Sequence, residues 1–457
     1  MAIGVWGKTP QIGVGLPCGS TGVSHESAGP RPSWPSAPPG GTLRRAVCLK
    51  IVAVALLAAA GGMTACSSSQ SSGGAPREEG GAAQVPPFAV EQHVAAGTDV
   101  YVCSYLAVSS ADTFLVGVSH VATAGTHHVL VFRTDLTSIP DGSDAPVDCF
   151  AGPSSPMRHM RGEVYGSQAR TGSFSFPAGV GLPVRAGEVL LVEVHFLDAG
   201  AQDIDARVDL TLATTTKGIA TPAGAFFFDD PFIDIPAAAS ARASMRCLVP
   251  DDVTIVSTSF HGHAHAQAVT AFVDPPTGAP ASTPYYTAPD AANPLPLQAS
   301  VPVAAGSHVR FACEFFGGPQ EILQGLDFQA SEMCALSGAY YPAMGSQAES
   351  CALAPDDFGT GSATCAQTLA CAGACPAGSA PPADLGLSTV PNVDPCWQRC
   401  VVASCPRASA LLLALVRCEQ NNCGSECAAP SSAACAACRT THCPTEASAC
   451  AGDTCGP

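Results

Sequence analysis

Residues 190–196 read Leu-Leu-Val-Glu-Val-His-Phe, an alternation that puts Leu190, Val192, Val194 and Phe196 on one face of a strand and Glu193 and His195 on the other. Short apolar runs separated by Gly, Pro and Asp fill the chain from residue 90 to about 214, and again from about 217 to 353 around a Pro-rich loop at 274–296. Neither stretch carries a helical period. The economical reading is mainly β: two consecutive antiparallel β-sandwich, jelly-roll-like domains over 88–214 and 215–354. Beyond residue 356 the pattern changes, with fourteen cysteines from Cys365 to Cys455. Cys371 and Cys375, Cys396 and Cys400, and Cys423 and Cys427 are each spaced i, i+4, which stacks both sulfurs on one side of a helix. A small disulfide-rich, partly helical module of stapled hairpins is therefore expected over 355–457. Zinc is the competing use, because Cys435-Ala-Ala-Cys438 has a ligand-like gap, although an even set of thiols outside the cytosol is more often oxidised.

Composition sharpens this picture. Only 12% of residues are charged, while glycines number 45 and prolines 40, which suits many short strands joined by turns. The formal charge of −17 makes nucleic acid and anionic lipid headgroups unsuitable partners. Twenty-three cysteines point to an oxidising compartment. The N-terminus agrees: Arg44, Arg45 and Lys50 precede an apolar run at 51–60, too short to span a bilayer, and small residues lead to Met63-Thr64-Ala65-Cys66. That ending resembles a bacterial lipobox, which implies cleavage before Cys66 and acylation of its sulfur. Residues 1–65 are read as an upstream extension plus signal peptide, with a start codon assigned too far upstream, and 66–87 as a flexible Ser/Gly/Ala tether. The expected location is the cell envelope, periplasm or cell surface, with membrane contact only through the lipid anchor; simple secretion is the alternative.

The candidate chemistry lies in the histidines, twelve in all. His127 and His128 open the apolar run Val129-Leu130-Val131-Phe132. In a regular strand they would point to opposite faces; binding one ion requires the backbone to bend, and Gly125 makes a bulge plausible. His195 taken alone fits a hydrogen-bonded core residue as well as a ligand. His261-Gly262-His263-Ala264-His265 would place three imidazoles on one face of a single strand, within reach of copper or zinc. Met333 alone reads as a packing residue, and His120 and His308 as surface or packing residues.

In order and spacing these segments resemble the copper type II, ascorbate-dependent monooxygenases, the family of peptidylglycine α-hydroxylating monooxygenase and dopamine β-hydroxylase. The likeness covers roughly residues 90–351. It rests on His127-His128-Val129, on Pro177-Ala178-Gly179-Val180-Gly181 followed by Val194-His195-Phe196, on His261 and His263, and on Glu332-Met333-Cys334 ahead of Tyr340-Tyr341-Pro342. The resemblance implies two copper ions per chain, one held by His127, His128 and His195 and the other by His261, His263 and Met333. Dioxygen activation and C–H hydroxylation are assigned to the Met-containing centre, with the first copper supplying an electron and ascorbate or a similar reductant reloading both. It also implies the pairs Cys103–Cys149, Cys247–Cys351 and Cys313–Cys334. Glu193 and His265 are expected behind the ligands, His265 being an alternative ligand in a shifted register. Peptide-amidating members carry Arg where this chain has Ser259 and Tyr where it has Ser337, so an amidated-peptide substrate is not expected. The expected function is a copper-dependent monooxygenase acting on a small organic substrate with O2 and reductant. The alternatives are a copper-binding or storage protein of the envelope without turnover, or an envelope interaction protein whose Cys-rich tail meets an unknown protein partner.

Overall fold

The computed structural model describes residues 83–84 and 87–456, apart from 144, 151–153, 199, 290–295, 326–329, 352–355, 377–392 and 429–431. The signal segment, Cys66 and nearly all of the tether lie outside the described residues.

The chain is mainly β, in antiparallel sheets, with a helical Cys-rich C-terminal region. A five-stranded sheet runs in the order Val147–Asp148, Asp99–Ala107, Val189–Leu197, Thr126–Thr134, Met160–Ser167. A seven-stranded sheet is built around Ile204–Thr215 and Thr113–Ala122. The apolar faces of both meet in one cluster, to which Val192, Val194 and Phe196 contribute from the first and Leu115, Val208 and Leu210 from the second. Further along, Gly224–Asp229, Ala335–Tyr341, Val253–His261 and Leu297–Val303 form a four-stranded sheet. Ser240–Leu248, His308–Phe316, Ala266–Asp274 and Tyr286–Ala288 form another.

The alternation at 189–197 is realised on both faces. Leu190, Val192, Val194 and Phe196 enter the cluster between the sheets, while Val189 and Leu191 enter a second cluster on the opposite side. That second cluster also holds Leu130, Phe132, Met157 and Met160, and it is completed by Phe227, Met333 and Ala335 from the later strands. An apolar seam therefore joins the two β regions, and the histidine-bearing strand ends are fixed relative to each other across it.

All twenty cysteines from Cys103 onward are bonded. In the β regions the pairs are Cys103–Cys149, Cys247–Cys351 and Cys313–Cys334, the three named above. In the tail, Cys371–Cys400 and Cys375–Cys396 staple the helices Cys365–Gly373 and Pro395–Val402 into a hairpin. Cys423–Cys438 and Cys427–Cys435 use both sulfurs of the zinc-like gap in separate bridges, so no thiolate pair is left there for a metal. Of the three i, i+4 pairs only Cys396 and Cys400 share an α-helix; Cys375 lies just past the end of Cys365–Gly373, Cys423 caps the helix Pro406–Asn422, and Cys427 sits in the short 3-10 turn after it.

The tail does not bury a core of its own. Trp397, Val401, Leu412, Leu413 and Val416 belong to the same cluster as Phe226, Phe311 and Phe315 of the later sheets. Phe358 packs edge-on against Phe232, with ring centroids 5.1 Å apart, and the Gln398 side-chain oxygen accepts from the Gln324 backbone N–H at 2.9 Å. The short Ala-rich helices offer too little large apolar surface to close on themselves, so they close on the sheet. Trp397→Ala should therefore lower stability by roughly 3–5 kcal/mol and shift helix loss and sheet-amide exchange together in denaturant titration; a sheet signal that stays put while the helices melt early would show two separable cores.

Candidate metal centre

Gly125 adopts φ +86°, and a Cβ there would lie 2.2 Å from Ile204 Cδ1, so only glycine fits the turn that starts the Thr126–Thr134 strand. Two residues later the register with Val189–Leu197 slips: His195 pairs with His128, but Phe196 pairs with Thr126. His127 is the extra residue of this bulge. The bulge turns its side chain to the same side as that of His128, as two adjacent residues of a regular strand cannot be. The ligand atoms of His127, His128 and His195 all lie within 4.8 Å of one another. The Nδ1 atoms of His127 and His128 face each other at 3.3 Å, and His128 Nε2 lies 3.2 Å from Glu193 Oε1. A carboxylate on that nitrogen fixes the tautomer that leaves Nδ1 as the coordinating atom. Glu193 thus orients His128, rather than His195.

His195 is 6% exposed, and neither ring nitrogen has a hydrogen-bond partner. Its Nε2 faces Asp99 Oδ2 at 3.6 Å, beyond hydrogen-bonding length. Its cross-strand neighbour Tyr101 stacks flat on the imidazole, with centroids 3.9 Å apart and planes at 13°.

The second histidine group differs from its expected form. His261 ends the strand Val253–His261, His263 lies in the turn that follows, and the next strand begins at Ala266, so the three imidazoles do not share one strand face. The physical reason is Glu332. Its buried carboxylate accepts the backbone N–H groups of His263, of His265 at 2.9 Å and of Met333 at 2.9 Å, pulling the chain out of the ladder into a turn. The His261 and His263 rings stand perpendicular, with centroids 5.6 Å apart. His263 Nδ1 meets the Ser331 carbonyl at 2.9 Å, which makes Nε2 the nitrogen that would bind a metal. His265 Nδ1 meets the Phe316 carbonyl at 3.2 Å instead, and His265 does not line the cavity.

His127, His128, His195, His261 and His263 all line one cavity of about 230 Å³. Met333 does not. The Met333 carbonyl lies against Gly262, where a Cβ would sit 3.1 Å from it, so its backbone abuts the histidine turn. Its side chain, 1% exposed, packs in the apolar seam. His120 is a packing residue held by Tyr165 Oη and the Ala169 carbonyl, each at 2.8 Å, and His308 lies beside Arg246 at 3.2 Å.

No family model matches the chain, and no curated protein does. Among solved structures it is similar to the major capsid protein P2 of bacteriophage PM2, at 10% identity over 56% of this chain and 97% of that one, with a TM-score of 0.24. It is similar to a chain of naturally occurring empty particles of cowpea mosaic virus, at 10% identity over 57% and 91%, with a TM-score of 0.25. A third likeness, to PNGF-II, has 10% identity over 56% and 64% and a TM-score of 0.20. Resemblances this faint say nothing about the chemistry of the cavity.

The electrostatics follow from desolvation. Burial, with His127 alongside, pushes His128 down to about 3. Burial and His263 push His261 down to about 4, Glu193 opposing and His128 adding. Burial lowers His195 too, assisted by His128 and His127 and opposed by Asp99. Burial raises Glu193 to about 7 against the pull of His261, so the carboxylate lies electrically between the two histidine groups. Neutral imidazoles are the metal-binding form. His127, His128 and His195 around one point, the last with neither ring nitrogen hydrogen-bonded, fit a copper or zinc ion well. Tyr101 was not legible as a site residue from the sequence, since a strand tyrosine carries no signal of its own; Glu332 belongs to the Glu332-Met333-Cys334 resemblance, but nothing in the sequence says that it binds the histidine turn.

Because the folded-state values of His128 and His261 lie below the ordinary 6.5, these rings stay neutral as pH falls through that value and take up protons only near 3 and 4. His93, raised by its bond to Asp205, does the opposite and charges above 6.5. Ring-proton NMR of the metal-free protein from pH 8 to 5 should show His93 titrating and His128 and His261 unmoved; midpoints near 6.5 for the latter two would mean the cavity is open to bulk water.

Proposed function

We propose that the protein is a copper-dependent monooxygenase that hydroxylates a C–H bond of a small organic substrate, using O2 and an ascorbate-like reductant. The single observation that supports this most is the meeting of two histidine groups, from two different sheets, in one cavity. On this reading the β regions are two consecutive sandwich domains of the copper type II monooxygenase family, each supplying one group. His127, His128 and His195 would hold one copper, and His261 and His263 with Met333 the other. Copper in such sites supplies one-electron chemistry with dioxygen. The protein's own contribution is positional. Glu193 holds His128 in one tautomer, Glu332 sets the His261–His263 turn, and Tyr101 supports His195 from below. The seam of Leu130, Phe132, Met157 and Met160 keeps water from the back of the cavity.

Ten disulfides place the chain in an oxidising, exported environment. No helix of the described residues is long and apolar enough to cross a membrane. Attachment through an acylated Cys66, in the envelope or at the cell surface, completes the proposal. A second reading, copper binding without turnover, is favoured by one observation: the Met333 side chain lies in the seam and not on the cavity wall.

Metal analysis of the purified, oxidised protein should give close to two coppers per chain, falling to about one in His195→Ala; no bound copper rules out both readings. Oxygen uptake with ascorbate and a panel of small C–H substrates separates the readings, turnover favouring the enzyme. Met333→Ala should abolish turnover, keep the first copper and remove sulfur scattering from the X-ray absorption of the reduced form; full activity in that variant would refute the methionine's role.

A further inference from the structure

Among the described residues, the Cys-rich tail supplies none of the side chains that line the histidine cavity. It reaches the site through backbone instead. Gln398, 2% exposed, lies on the helix Pro395–Val402 between Cys396 and Cys400, whose sulfurs are bonded to Cys375 and Cys371. Its side-chain amide grips both polar backbone groups of one residue in the second β region. Oε1 accepts from the Gln324 N–H at 2.9 Å, and Nε2 donates to the Gln324 carbonyl at 3.4 Å. Nε2 also donates to the Val393 carbonyl at 3.0 Å, which fixes the orientation of the amide.

On its other edge the same short strip pairs with Glu332. The Glu332 N–H donates to the Leu323 carbonyl at 3.0 Å, and the Gly325 N–H donates to the Glu332 carbonyl at 3.2 Å. In this parallel bridge the backbone groups of the middle residue, Gln324, point away from Glu332. Gln398 meets them there. The Gln324 side chain ties the strip down further, its Nε2 donating to Asp229 Oδ2 at 3.3 Å. Residues 323–325 therefore have the tail on one edge and Glu332 on the other. The Glu332 carboxylate in turn holds the N–H groups of His263 and His265, and the Ser331 carbonyl holds the His263 ring.

We propose that Gln398 is a positioning residue for the His261–His263 pair, acting through Gln324 and Glu332, so that the tail belongs to the second metal site. Every link is buried, Gln398 and Glu332 almost completely. Coupling through so few enclosed contacts has little slack. An amide suits the place because it offers an acceptor and two donor protons on one side chain, and here all are used. Without it, the Gln324 N–H and carbonyl are left unpaired in the interior, and the strip must move to find partners. Glu332 is in register with that strip, so its carboxylate moves from under the histidine turn. His127, His128 and His195 lie in the first β region and take their places from the strands there and from Glu193, so only one of the two histidine groups should respond. The inference rests on the reading of His261 and His263 as metal ligands.

Gln398→Leu closely matches the size of the side chain and removes the amide. In the full exported chain freed of metal by chelation, the His263 and His265 amides should exchange with solvent at least about ten-fold faster than in wild type, the factor that one lost hydrogen bond is worth. Val129 and Val194, beside the first histidine group, should keep their rates. On copper titration the first site should keep its affinity and the second should weaken about ten-fold, as loss of an outer partner commonly does. Leu412→Ala, a core substitution elsewhere in the tail, should lower overall stability and leave both readouts alone. Gln398→Glu keeps the acceptor for the Gln324 N–H and loses the donors, so it should fall between; it takes over if the leucine variant does not fold. Unchanged exchange at His263 and His265, or an equal change in Leu412→Ala, overturns the positioning role while two bound coppers leave the proposed function in place. A wild-type chain that takes up no second copper overturns the metal role of the pair itself, whatever the exchange rates.

Discussion

The site depends on the two-residue period of the strand Val189–Leu197. Leu190, Val192, Val194 and Phe196 are locked between two sheets, so Glu193 and His195 can point only the other way. A slip of one residue would push a carboxylate and an imidazole into an apolar core and crowd Val192, Val194 and Phe196 onto the histidine face, at a cost of several kcal/mol. The same strand is flanked by Asp99–Ala107, which brings Tyr101 against His195, and by Thr126–Thr134, whose bulge adds His127 to His128. The register of one strand therefore decides the arrangement of three imidazoles, a carboxylate and an aromatic ring.

Burial then decides the charge state of what the strand presents. Burial pushes His128, His195 and His261 towards neutrality, and the buried glutamates beside them are pushed upward by the same loss of water. Glu163, Glu193 and Glu332 are each raised to about 7 by burial, although hydroxyl or backbone donors pull Glu163 and Glu332 back. The inner part of the cavity, around His128, His195, His261 and Glu193, is thus a low-dielectric chamber. A cation entering it would be the strongest local charge and would reset the protonation of its neighbours.

Much of the fold was legible because strand period and cysteine spacing are local signals. The alternation at 190–196, the glycine before the histidine pair and the i, i+4 pair Cys396 and Cys400 each state their geometry within a few residues. The His261–His265 segment departs from one strand face because its course is set by Glu332, nearly seventy residues away, whose carboxylate binds the turn's backbone. No property of His-Gly-His-Ala-His itself encodes that partner. Tyr101 was invisible for the same reason: its place against His195 arises from cross-strand register. The tail's lack of a private core was hidden likewise, since apolar residues such as Trp397 do not declare which surface they will cover.

The disulfides differ in how far solvent reaches them. Cys103, Cys149, Cys247, Cys313 and Cys334 are wholly enclosed and Cys351 nearly so, whereas Cys371, Cys375, Cys396, Cys418 and Cys438 in the tail retain exposed or half-buried sulfur-bearing side chains. Thiol exchange needs an attacking thiolate to arrive in line with the bond, so exposure ranks the staples by lability. The molecule accordingly has an outer set of crosslinks in the tail and an inner set made of the three in the β regions and Cys365–Cys450, whose two residues are both enclosed. A brief reductive episode would loosen the helical hairpins while leaving the inner set closed.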